Sequence, residues 1–191
     1  MNDELMRFIN RMNTYVRSKG KNCRIWYGSD HVKSKIKPDP TLILDIWNLR
    51  NSKQLAGVTA TNRFINSNGH ATYIVPGATY YGIDNGRSYE KWTPLMLGGK
   101  NGWNKVIINK EHAEKNFMGA KLHIWMDGGP GRVTMKEVAE LALPSLQVFS
   151  EKLWGVKGSK KYKEFEARTA NRLPIPTMTT EIKDIQKDPR K

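Results

Sequence analysis

The sequence holds a single cysteine, Cys23, in 191 residues. One cysteine excludes an intramolecular disulfide and any site built from several thiolates, and it fits a reducing, intracellular setting. No apolar run approaches the roughly 20 residues that cross a bilayer, so no membrane partner is expected. The opening MNDELMRF is acidic and amphipathic, unlike a secretory leader. Acids are scarce: 18 Asp and Glu stand against 32 Lys and Arg, a net charge of +14. Such a field favours a polyanion or an acidic protein neighbour. His31, His70, His112 and His123 are scattered without metal-ligand spacing, so no metal and no cofactor is expected. No phosphate loop, no G-x-S-x-G and no Cys–His couple is present. Asp39 and Asp45 hint at a metal-dependent nuclease, but the acid-x-lysine that such a site needs is missing. No catalytic residue is assigned.

What is present centres on residues 132–155. Met135, Val138, Ala142, Leu146, Phe149 and Leu153 recur at steps of three or four, one apolar face of a long helix. Thr134 and Glu137 stand in capping-box spacing and Gly155 suits the stop. Pro144 falls with Glu140, Gln147 and Glu151 on the polar side, where it can bend a helix without leaving the core. The same stretch resembles the helix-turn-helix of LacI-type repressors through Val133, Thr134, Val138, Ala139, Ala142, Ser145 and Ser150. Leu143 occupies the turn position where that motif has glycine. A DNA-binding protein reading through 132–154 is therefore one alternative, and a phage nuclease another.

Residues 2–18 read as an amphipathic helix, capped by Asn2, with Leu5, Phe8, Ile9, Met12 and Val16 as its stripe. A short strand is expected at 23–27 and a short buried element at 41–47. Residues 55–65 and 70–75 look like paired strands around the hairpin turn Asn66-Ser67-Asn68-Gly69. Further strands are expected at 103–109 and 121–126, and a second short helix at 159–170, anchored by Tyr162 and Phe165. The expected fold is α+β: an antiparallel sheet packed by the long C-terminal helix and the N-terminal helix. Residues 1–157 form the core domain. Residues 158–191 form a basic extension ordered by a neighbouring subunit.

Two groups of residues stand out as surfaces. Arg17, Lys19, Lys21, Arg24, Lys33, Lys35 and Lys37 cluster with one acid among them, as suits contact with a nucleic-acid backbone. Tyr80, Tyr81, Arg87, Tyr89 and Trp92 make an aromatic, turn-rich patch suited to a subunit interface.

The order of pieces carries a family resemblance. Asn48-Leu49-Arg50-Asn51-Ser52, then Tyr80-Tyr81-Gly82-Ile83-Asp84-Asn85-Gly86-Arg87 with Pro94 behind it, then a final helix, resembles the tail-completion or head–tail joining proteins of tailed phages. The resemblance covers about residues 2–154. It implies a non-enzymatic structural virion protein, assembled in the host cytoplasm into a homo-oligomeric ring. The ring would touch neighbouring neck or tail proteins and non-specifically contact DNA.

Overall fold

The computed structural model describes residues 2–49, 51–76, 84–97, 106–126, 133–155 and 161–170. Helix α1 spans Asn2–Ser18 and strand β1 Arg24–Gly28. Asp3 and Glu4 sit in the first turn of α1, where acids complement the helix dipole. The Asp3 carboxylate accepts from Ser34 Oγ at 2.9 Å and from the Lys35 amide at 2.7 Å. Those two bonds, the amide first, hold its pKa below the usual carboxylate value. They also tie α1 to the connection after β1, and Asn10 does the same by bridging Lys37 and Asp39.

Strand β2 spans Ile43–Asn48 and is followed by α2, Ser52–Thr59, capped by the Asn51 side chain. Leu55, Val58 and Thr59 are its buried residues, a helical spacing within a stretch whose composition suggested a strand. Then come β3, Phe64–Asn66, a single helical turn α3, Gly69–Thr72, and β4, Tyr73–Ile74. Asn66 does not start a hairpin. Its Oδ1 accepts from the Asn68 amide and its Nδ2 donates to Pro94 and Met96 carbonyls. The chain makes one turn and resumes as β4. Helix α4, Asn85–Lys91, precedes a small antiparallel pair of β5, Met96–Leu97, and β6, Val106–Ile107. Helix α5 spans Lys110–Asn116, β7 Phe117–Ala120, β8 His123–Ile124, α6 Met135–Trp154 and α7 Tyr162–Ala170.

The main sheet runs β1-β2-β3-β7, every neighbour parallel, and β4 pairs β8 parallel beyond it. The architecture is therefore α/β with a parallel sheet, which overturns the antiparallel α+β expectation. The 29–42 connection with its 3-10 turn at His31–Lys33 joins β1 to β2, and α2 joins β2 to β3. The path from β3 to β7 includes α4, the β5–β6 pair and α5, and these are long connections of the kind parallel pairing requires. The expected turn at 66–69 had suggested antiparallel pairing, and it is only a kink along one strand path.

One sheet face is covered. Leu44, Ile46, Phe64 and Tyr27 pack with Met6 of α1, with Leu55 and Val58 of α2, and with Leu97, Val106 and Ile108. A separate core holds Tyr89, Val148 and Phe165, where α4, α6 and α7 meet. In it the Tyr89 and Phe165 rings stack at 4.5 Å. Helix α7 thus packs on its own chain, within what was expected to be an extension held by a neighbour.

Helix α6 has the expected capping box and a left-handed Gly155 at its end (φ 64°). It is one unbroken helix through Leu143, so the helix-turn-helix alternative has no turn. Its buried face differs from the expected one. Val138, Ser145, Val148 and Phe149 are buried, whereas Met135 is 80% and Leu146 49% exposed. The reason is polar: Glu151, on the expected solvent side, accepts from the Tyr89 hydroxyl and from Arg168. Those partners turn that side of the helix inward.

Candidate functional site

The other face of the parallel sheet carries different chemistry. Side chains alternate across a strand, and the register aligns Trp26 with Asp45 and Asp45 with Ile65. Trp26, Asp45, Trp47, Tyr73, Lys121, His123 and Trp125 belong to this face. Ile25-Trp26 in β1, Ile46-Trp47 in β2 and Ile124-Trp125 at the end of β8 form a repeated dipeptide. In β1 and β2 its Ile packs toward the covered face and its Trp faces the other way. That dipeptide was the signal in the sequence, and composition-level reading of the tryptophans passed over it.

The aromatic rings converge where the β4–β8 pair meets the middle of β1. His123 lies 5.0 Å from Trp26, 5.3 Å from Tyr73 in an edge contact, and 5.9 Å from Trp125 in a near-parallel stack. Trp26 and Trp125 are 5.9 Å apart, and Tyr73 and Trp125 5.8 Å. Tyr73 is buried, but Trp26 and Trp125 remain 39% and 37% exposed, so two indole faces are open to a ligand. Gly28 makes room at the rim. A Cβ there would lie 2.6 Å from Trp47 Nε1.

Beneath the rings runs a charged layer. Asp45 is 3% exposed, and its Oδ2 pairs with the Lys121 ammonium and, at 3.5 Å, with Arg24 Nε. The Lys121 ammonium also sits 5.8 Å from the Trp26 ring centroid, a cation–π contact. Asp45 Oδ1 and His123 Nε2 are buried without a hydrogen-bond partner among the described residues. Burial lowers the His123 pKa, and the Lys121 charge lowers it further against the opposing pull of Asp45. The imidazole is therefore neutral at pH 7. Among the described residues no group of His, Cys, Asp and Glu could hold a metal ion.

The residues singled out as surfaces lie elsewhere, with one exception. Arg24 joins the charged layer. Arg17, Lys19 and Lys21 are exposed at and after the end of α1. Lys33 pairs with Asp30 at 3.1 Å. Lys35 and Lys37 border a cavity of about 430 Å³ on the covered side of the sheet, between α1, the 31–40 connection and α2. Tyr89 and Trp92 are interior: Tyr89 bonds Glu151, and Trp92 stacks on Phe149 at 5.5 Å. Arg87 is exposed at α4, and Tyr80 and Tyr81 lie outside the described residues.

The glycosyl hydrolase family 20 catalytic domain matches residues 1–157. Among solved structures, Dispersin B is similar at a TM-score of 0.58 with 18% identity, over 81% of this chain and 49% of its own. The tandem GH20 catalytic modules of the pneumococcal exo-beta-D-N-acetylglucosaminidase StrH give 0.52 and 15%, over 79% of this chain and 37% of theirs. A second StrH structure, concerned with N-glycan recognition and hydrolysis, gives 0.53 and 16% over the same shares, 79% and 37%. The chain thus spans half or less of the length of these structures. No curated protein matches it in sequence.

These likenesses place the parallel strands in a TIM-barrel-like α/β fold, in which ligands meet the carboxyl ends of the strands. They overturn the phage tail-completion reading, together with its virion setting, its non-enzymatic structural role and its DNA-binding and nuclease alternatives. Of the short segments that carried the phage resemblance, residues 48–49, 51–52 and 84–87 lie in this parallel α/β fold, and the others lie outside the described residues. The match over residues 1–157 shows that the chain belongs to glycosyl hydrolase family 20.

Proposed function

We propose that this chain supplies the sugar-gripping wall of a glycosidase that cleaves a terminal β-linked N-acetylhexosamine. The observation that carries this reading is the half-open cage of Trp26, Tyr73, His123 and Trp125 against the parallel strands. A pyranose ring presents axial C–H groups on one face, and an exposed indole offers a flat, electron-rich surface to them. The family match and the N-acetylglucosaminidase StrH indicate which sugar.

The cage residues bind and orient the ring and exclude water from it. Hydrolysis in this family is substrate-assisted, so the protein's part is to hold the substrate's own reacting group in place and supply a proton. Asp45 is committed to Lys121 and Arg24, and no second carboxylate stands on the inward positions of the described strands. The proton donor therefore lies outside those positions.

Titration of the full chain with N-acetylglucosamine, followed by tryptophan fluorescence, tests the reading. Saturable quenching is expected in the millimolar range or tighter, with Trp26→Ala weakening it at least tenfold. Absence of any sugar-dependent change in the folded wild type would sink it.

A further inference from the structure

The charged layer beneath the cage has more cation than its carboxylate requires. Asp45 is buried, and one partner would neutralise it; it has two, Lys121 and Arg24. The three groups sum to one net positive charge below the rings. Lys121 is 27% exposed and Arg24 51%, so both present an open side, whereas the Asp45 side chain is 4% exposed and turned away from solvent. Among the described residues the Lys121 ammonium donates to Asp45 only, which leaves donors for a ligand. Asp45 fixes that ammonium in place, 5.8 Å from the ring centroid of Trp26. An ammonium can donate to the hydroxyls of an uncharged sugar, but its bond to an anionic substituent is stronger.

We propose that the sugar taken by this cage carries a negatively charged substituent, received by Lys121 with Arg24 behind it. The inference rests on the sugar-binding reading above and adds the substrate's charge class. A sulfate or phosphate ester placed among the rings is shielded from water, so a fixed ammonium there attracts it more than an exposed lysine would. Arg24 lies at the amino end of β1 and is half-exposed, and its guanidinium is suited to planar oxyanions. The chain's overall charge of +14 acts in the same direction at longer range, drawing acidic glycans toward the site.

The competing account is that Lys121 only balances Asp45. The two accounts separate in the ratio of dissociation constants for charged and neutral sugars. The full chain is titrated with N-acetylglucosamine, its 3-sulfate, its 6-sulfate and its 6-phosphate, and with inorganic sulfate and phosphate alone. At least one ester is expected to bind tenfold or more tightly than the neutral sugar, with an advantage that shrinks as salt rises. Lys121→Met should bring that ratio below threefold and Lys121→Arg should restore it. Should Lys121→Met fail to fold around the unpaired Asp45, Arg24→Met, at a half-exposed position, is expected to reduce the ratio as well. A neutral sugar bound as tightly as every ester overturns the proposal while leaving the cage a sugar site. A preference that persists in Lys121→Met overturns it too, as does an inorganic anion bound as tightly as its sugar ester. If no sugar binds at all, the sugar-binding reading itself has failed.

Discussion

Gly28 has no side chain because Trp47 occupies the space its Cβ would take, at 2.6 Å from Nε1 and 2.9 Å from Cε2. Alanine there forces the indole to move, and overpacking of this kind costs about 1–3 kcal/mol. Gly28→Ala is expected to lower the urea midpoint accordingly and to shift the emission of Trp47; an unchanged midpoint would show that the indole has room. Two histidines act on stability through pH. Burial lowers the pKa of both His31 and His123, with Asp30 opposing it at the first and Lys121 adding to it at the second. Below the ordinary histidine value of about 6.5 the unfolded chain takes up protons that the folded chain does not. Stability should therefore fall as pH drops from about 7 toward 5. A His31→Gln, His123→Gln double variant should show a flatter dependence in denaturant titrations at pH 7, 6 and 5; parallel curves would refute the assignment. At this scale the sequence was least informative. Neither Trp26 nor Trp125 stands out in the sequence, because only the pairing of parallel strands brings them together. Arg24 was read as one of seven surface cations, since its partner Asp45 lies in the next strand.

Helix boundaries were the most legible elements. Residues 2–18 were read from the acidic first turn, and the α6 start from Thr134 and Glu137, because caps are local chemistry. The face α6 buries was misplaced, since the partners that draw Glu151 inward come from α4 and α7. The two readings predict different mutants. Val148 is 2% exposed, so Val148→Asp should cost several kcal/mol by burying an unpaired charge. Leu146 is 49% exposed, so Leu146→Asp should cost less than about 1 kcal/mol. Thermal melts of the two variants check this, and equal losses would restore the face expected from periodicity. The segment after β3 failed for a similar reason. Asn-Ser-Asn-Gly is favourable turn chemistry, but a turn type does not reveal whether the chain doubles back or continues.

For the whole molecule, the strand at 24–28 was anticipated at 23–27 and the one at 43–48 only as a buried element at 41–47, and their parallel pairing was not anticipated. Strand direction in a sheet is set by the length of the intervening connections, and α2 had been read as strand. Two apolar cores, one between the sheet and its covering helices and one among α4, α6 and α7, need not open together. The smaller core is centred on three fully buried side chains, those of Tyr89, Val148 and Phe165. The larger is anchored in strands whose amides bond to both neighbours, as in β2. Amide hydrogens in 85–91 and 162–170 should therefore exchange with deuterium well before those in 43–48, as a cooperative group released by partial opening. If that ordering holds at low denaturant and the two sets converge near the midpoint, α4, α6 and α7 form a unit that detaches while the main sheet stays folded. Thermal tolerance of the unit and retention of ligand by the sheet would then be separately adjustable properties.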